Sequence, residues 1–177
     1  HSRAGLLSQE IATESFDFYS RKLQGIDAQR PRWKRGVSLV EATLGEALGQ
    51  LYVHRHFPAA SKEAMDVLVA DLLEAYRGSI SQLEWMSPAT RQEALAKLEQ
   101  FTVKIGYPAK WRDYSSLQLS ATDLVGNVRA AEAFEIAYEA GKLGKPVDRD
   151  EWHMTPPTVN AYSNPVMNEI VFPAAIL

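Results

Sequence analysis

Residues 159–177 read Val159-Asn160-Ala161-Tyr162-Ser163-Asn164-Pro165-Val166-Met167-Asn168-Glu169-Ile170-Val171-Phe172-Pro173-Ala174-Ala175-Ile176-Leu177. β-formers stand on either side of Asn164-Pro165, a dipeptide that favours a turn. The pattern predicts a hairpin with strands at Val159–Tyr162 and Asn168–Phe172 and a turn at Ser163–Met167. A two-stranded hairpin alone is marginal in water, so this one is expected to pair with strands that the chain does not contain. Domains usually end in polar, mobile sequence. The apolar finish Ala174-Ala175-Ile176-Leu177 therefore predicts a piece of a longer protein.

Upstream of this stretch, Thr155-Pro156-Pro157 is a stiff connector, because each proline fixes its own φ and pushes the preceding residue to extended backbone. A boundary is expected within 146–157. Before it the periodicity is helical almost throughout. Residues 6–24 form a first helix ended by Gly25, and Pro31 opens a second that runs to Pro58. In that second helix Trp33, Val37, Val40, Leu44, Leu48 and Leu51 recur at helical spacing as a buried stripe. Gly45 and Gly49 cost helix propensity there, which predicts close packing against a neighbouring helix. Ser61 is expected to cap a third helix to Leu83, buried along Met65, Leu68, Leu72, Tyr76 and Ile80. Ser87-Pro88 starts a short fourth helix. Thr122 or Asp123 caps a fifth, which Gly144 and Pro146 close off. Between them Phe101, Val103, Ile105 and Tyr107 alternate with Thr102, Lys104 and Gly106 and read as an extended strand.

Composition narrows the function classes. The chain is 46% hydrophobic and 23% charged with a formal net charge of −3, which suits a soluble protein and gives nucleic acid no electrostatic footing. The basic run Arg30, Arg32, Lys34 and Arg35 reads as a solvated helix face. No apolar run approaches the length of a membrane span. With no cysteine there is neither a disulfide framework nor thiol chemistry.

Candidate chemistry is sparse. His54 and His56 stand two apart on a helix and point different ways, whereas zinc helices place histidines four apart. No metal site and no catalytic residue is expected within the chain. No G-x-S-x-G elbow is present, and the acidic turn around Trp152 specifies no acid–base pair. The hairpin remains: an exposed strand edge can pair with an extended peptide, and an asparagine side chain both donates and accepts. Asn160 is thus open to two roles, a clamp on a peptide backbone or a residue that closes a turn.

Several motifs carry a resemblance. Asn160-Ala161-Tyr162 followed by Asn168-Glu169-Ile170-Val171-Phe172-Pro173 resembles the segment just before the zinc motif of neprilysin-like metallopeptidases. Leu44-Gly45-Glu46-Ala47-Leu48-Gly49-Gln50-Leu51-Tyr52-Val53, Lys104-Ile105-Gly106-Tyr107-Pro108 and Asp150-Glu151-Trp152 resemble other stretches of that family in the same order, so residues 30–177 are covered. The resemblance implies a mainly α architecture. Residues 1–145 would form part of a helical, substrate-gating lid domain and 146–157 a connector. Residues 158–177 would be the first hairpin of an incomplete thermolysin-like catalytic domain.

It further implies an endopeptidase or oligopeptidase that cuts short peptides on the amino side of hydrophobic residues. Zinc would be held by an H-E-x-x-H helix beginning shortly beyond Leu177 and by a later glutamate, so these residues alone are expected to be inert. Asn160 and Ala161 would hydrogen-bond the substrate backbone, and Ile176 would line the pocket for the residue after the cut. The partners implied are short peptides and the remainder of the catalytic domain. Gly36, where vertebrate members carry cysteine, points to a bacterial member, in an envelope-associated, periplasmic or secreted location with the cytoplasm left open. The alternative is a non-catalytic helical module that binds extended peptides by β-augmentation.

Overall fold

The structure, a computed structural model, describes residues 3–177. In order these are helix α1 (Gln9–Phe16), α2 (Arg32–His56), α3 (Ala59–Ser81), α4 (Pro88–Glu99), strand β1 (Thr102–Gly106), helix α5 (Leu124–Ala140), and strands β2 (Tyr162–Asn164) and β3 (Glu169–Pro173). Short 3-10 turns cover Ala4–Leu6 and Ala174–Ile176. Internal packing divides the chain into two compact units, residues 1–45 with 113–147 and residues 46–112 with 148–177. One crossing, Val147 to Asp148, lies inside the connector expected at 146–157; the crossings after Gly45 and Arg112 have no linker-like composition to announce them.

The first unit holds α1, the first half of α2, and α5. Beyond Phe16 the first helix continues as a π-helical segment, Asp17–Lys22, and the run ends at Gly25 with φ +68°. Inside α2 the backbone leaves helical geometry at Leu44, with φ −134° and ψ 36°. Thr43 Oγ1 donates to the Leu39 carbonyl at 2.8 Å, a back-bond that bends helices, and Gly45 follows Leu44. Asp123 is the cap of α5, its Oδ1 accepting from Gly126 N at 2.8 Å. Val128 and Ala131 on α5 are buried, and Tyr114 stacks on Phe134 with ring centroids 5.3 Å apart.

In the second unit α3 and α4 pack together and α3 lies against β1. Helix α3 begins at Ala59, earlier than the expected Ser61 cap, with Pro58 as its N-cap residue in extended backbone. Ser87 caps α4 as expected, accepting from Thr90 N. The predicted stripes of α2 and α3 are not buried among the described residues. Trp33, Val37, Leu51, Leu68, Leu72 and Tyr76 are all exposed, since periodicity reports an amphipathic face but not what covers it.

The sheet has the order β1-β3-β2. β3 pairs in parallel with β1, Thr102 opposite Glu169 through Gly106 opposite Pro173, and antiparallel with β2, Tyr162 opposite Val171 and Asn164 opposite Glu169. The strand partner expected from outside the chain is therefore supplied by β1 from within it. The first hairpin strand also starts later than predicted, at Tyr162 rather than Val159. The Thr158 N–H reaches the Thr155 carbonyl and the Asn160 N–H reaches the Thr158 carbonyl, both at 2.9 Å, so the backbone upstream of Tyr162 is coiled into turns. The hairpin turn is correspondingly shifted to 165–168. Asn164 Oδ1 accepts from Val166 N and Met167 N, and Asn168 takes the left-handed conformation at φ 52°, which asparagine tolerates better than most residues.

Two glycines permit close approaches in this unit. A Cβ on Gly49 would lie 2.7 Å from Pro156 Cδ, so the neighbour that α2 admits at this point is the connector proline and not another helix. Gly106, at φ +82°, faces Phe57, whose ring would sit 2.5 Å from an added Cβ. Phe57 meets Tyr107 edge-on, and Tyr107 stacks on Trp111, which anchors the start of the loop after β1.

Candidate functional site

The candidate site is an edge. β2 is the outer strand of the sheet, hydrogen-bonded only to β3 among the described residues. Asn160 and Ala161 are the two residues that lead into it, with Asn160 exposed and Ala161 half-buried. The Asn160 Oδ1 accepts from the Ala161 N–H at 2.8 Å, so the amide oxygen is engaged locally, and the NH2 of this exposed residue is a donor group.

Ile176 lies in the 3-10 turn after β3 and is 44% exposed. One hydrogen bond brings its turn beside the segment that carries Asn160: Ala175 N donates to the Pro156 carbonyl at 2.9 Å. Pro156 and Pro173 are fully buried, so both ends of that hydrogen bond are attached to rigid, packed residues. The three sequence-predicted residues thus belong to two adjoining turns of the same unit.

Behind the edge lies a buried ion pair that periodicity did not single out. Lys104 Nζ stands 2.8 Å from Glu169 Oε2, with side-chain exposures of 8% and 1%. The same ammonium donates to the Glu151 carbonyl at 3.0 Å. Although Lys104 and Ile105 are neighbours in an alternating strand, Lys104, Ile105 and Gly106 are all buried, so both faces of β1 are covered there. The signal available was Glu169, which shares the parity of Val171 and Pro173 on β3, all three buried.

The segment 151–153 joins this pair to the edge strand. The His153 N–H donates to the Tyr162 phenol oxygen at 3.0 Å, and the His153 and Tyr162 rings lie 5.8 Å apart. Burial pushes the Tyr162 hydroxyl above its ordinary value; the His153 N–H opposes this, and the negative charges of Glu169 and Glu151 add to the rise. Tyr162 is therefore held as a neutral phenol.

No group of three or more His, Cys, Asp or Glu side chains among the described residues is placed to hold a metal ion. The residues present do not fit zinc, and no chemical step through zinc is assigned to them. No helix among the described residues is long and apolar enough to cross a membrane. A separate concavity of about 370 Å³ opens between α3, α4 and the hairpin turn, with Glu169 in its lining, and it includes none of the three candidates.

Comparison with known proteins gives a consistent result. A sequence profile of peptidase family M13 matches residues 1–108. Endothelin-converting enzyme 1 of Bos taurus is 39% identical over 154 residues, which is 83% of this chain and 20% of that protein. Neprilysin-3 of Drosophila melanogaster is 32% identical over 164 residues, 89% of this chain and 21% of that protein. The chain thus spans about a fifth of the length of these relatives. Among solved structures, the Mycobacterium tuberculosis zinc metalloprotease Zmp1, in complex with an inhibitor, superposes with a TM-score of 0.89 at 59% identity, covering 98% of this chain and 26% of that one. PepO from Lactobacillus rhamnosis superposes with a TM-score of 0.90 at 32% identity, covering 99% and 28%.

Proposed function

We propose, from the premise that this chain belongs to peptidase family M13, that the whole protein is a zinc-dependent endopeptidase or oligopeptidase. In that protein the turn and edge around Asn160 receive the substrate backbone. The observation that carries this is the free side of β2, approached through an exposed Asn160 and tied to the turn of Ile176 by the Ala175–Pro156 hydrogen bond. An extended peptide laid along such an edge gains main-chain hydrogen bonds whatever its side chains. Asn160 Nδ2 and the Ala161 backbone supply the donor and acceptor groups, and Ile176 offers an apolar surface to a side chain beside the cut.

The residues described here bind and orient; they do not activate water. Zinc, held by residues outside these 177, supplies that Lewis-acid chemistry when bound. Short peptides cut before a hydrophobic residue are the proposed substrates, and a bacterial envelope or secreted location is the proposed setting.

The test uses the full-length protein and a short peptide containing a hydrophobic residue. Hydrolysis on the amino side of that residue, abolished by chelation and restored by Zn2+, is the expected result. Full-length protein that holds no zinc and binds the peptide without cutting it would favour the β-augmentation module instead.

A further inference from the structure

We propose that Lys104 and Tyr162 are positioning residues for the Asn160–Ala161 edge, acting through one continuous path of polar contacts across the second unit. The path runs from Glu169 on β3 to Lys104 on β1, from Lys104 to the Glu151 carbonyl, and from the His153 N–H to the Tyr162 phenol. This inference rests on the reading of the edge as a substrate-backbone clamp and adds what holds that clamp in place.

The ladder to β3 covers Tyr162 to Asn164 and no residue before them, and residues 148–161 contain no helix or strand. Asn160 and Ala161 are therefore oriented by local turns and by whatever fixes Tyr162, the residue that follows them. The Tyr162 backbone belongs to the sheet, and its hydroxyl is fastened to the His153 N–H. Two residues before His153, the Glu151 carbonyl is fastened to Lys104. Each end of the 151–162 excursion is thus tied to the sheet: one by a lysine ammonium, the other by β2 itself. The phenol contact closes the loop near its two ends, from Tyr162 to His153.

The chemistry of the pair supports a role in geometry. Removing two charges from water is costly, and a well-packed apolar pair of similar volume is often as stable or more so. A buried lysine that spends donors on a carboxylate of one strand and on a carbonyl of an irregular segment does what an apolar residue cannot: it fixes the segment's position relative to the strand. The neutral state of Tyr162 is consistent with this, because the phenol oxygen accepts from a neutral backbone donor in a half-buried place beside two carboxylates.

A substrate contact that is equally strong in ground and transition state affects KM more than kcat. The experiment compares full-length Tyr162→Phe, Lys104→Met, Lys104→Arg and Asn160→Ala with the parent sequence, on one short peptide over a range of concentrations, with thermal unfolding of each. Tyr162→Phe removes only the hydroxyl. It is expected to raise KM about three- to tenfold, with kcat within about twofold and a Tm only slightly lowered by the lost internal hydrogen bond. Lys104→Met is expected to raise KM at least as much while lowering Tm, and Lys104→Arg, which keeps the cation, to recover part of the KM. If Asn160→Ala raises KM or lowers kcat/KM while Tyr162→Phe leaves KM unchanged, the path is purely structural and the proposal is overturned with the clamp intact. If Asn160→Ala has no effect either, the clamp reading itself falls, and the positioning role with it. Should Lys104→Met fail to fold, Tyr162→Phe alone decides.

Discussion

Lys104 and Glu169 meet at 2.8 Å with both side chains withdrawn from water, and their strands run parallel with Thr102 facing Glu169. The pair therefore bridges β1 and β3 on the diagonal, offset by two residues along the ladder, since Lys104 itself faces Val171. Breaking it from one side leaves a buried charge without its counterion. Lys104→Met is expected to destabilise the chain by about 3–5 kcal/mol, and the double change Lys104→Met/Glu169→Leu to cost far less than either single one or to stabilise. Urea midpoints for the three variants provide the check. A double variant as unstable as the single ones would mean that the charges are needed for folding beyond each other's company.

Gly106 and Gly144 both sit at positive φ, +82° and +74°, but only Gly106 has a neighbour in the way. Gly144→Ala should cost about 1 kcal/mol, from the left-handed backbone alone. Gly106→Ala adds a collision with Phe57 and should cost roughly 2–4 kcal/mol. A Gly106→Ala/Phe57→Leu double variant is expected to recover part of the difference. Equal losses for the two single alanine variants would show that the Phe57 ring yields freely.

The Tyr162 phenol carries a pH prediction whose sign follows from its raised pKa. Below the unfolded-state value near 10 the group is neutral in both states, and its contribution is fully present. As pH rises from there through the folded-state value, the unfolded chain ionises first and stability falls. Tyr162→Phe should flatten that part of the alkaline stability profile. An unaltered profile would show that other tyrosines dominate the fall.

The hairpin shows what could and could not be read from sequence. Its existence, its central Asn164-Pro165 and the order of its strands follow from turn chemistry and β-formers. The register does not, because it depends on the Asn164 side chain accepting two backbone N–H groups and on Asn168 entering positive φ. The parallel partnership of β1 with β3 was equally hidden, since residues 102–106 and 169–173 are separated by the whole of α5 and no local pattern encodes that pairing. The burial of Lys104 was not legible either, because a lysine reads as polar until its carboxylate is known. The candidate edge at Asn160, Ala161 and Ile176 was named through family motifs, since residue chemistry alone left Asn160 divided between clamp and turn.

Ile176, 44% exposed in the turn tied to Pro156, is proposed to face the side chain after the scissile bond. Ile176→Ala in the full-length protein should shift preference at that position toward larger side chains. One methylene in an apolar pocket is worth about 10–200-fold in discrimination, so a panel of peptides varying only that residue is sensitive enough. A profile identical to that of the parent sequence would remove Ile176 from the pocket.

Whether Asn160 grips the substrate backbone is read from kcat/KM of full-length Asn160→Ala on a short peptide. A loss of about ten- to a hundredfold is expected, the cost of one substrate hydrogen bond with its partner left unmet, roughly 1–3 kcal/mol, with zinc content and Tm unchanged. A kcat/KM equal to that of the parent sequence would contradict it.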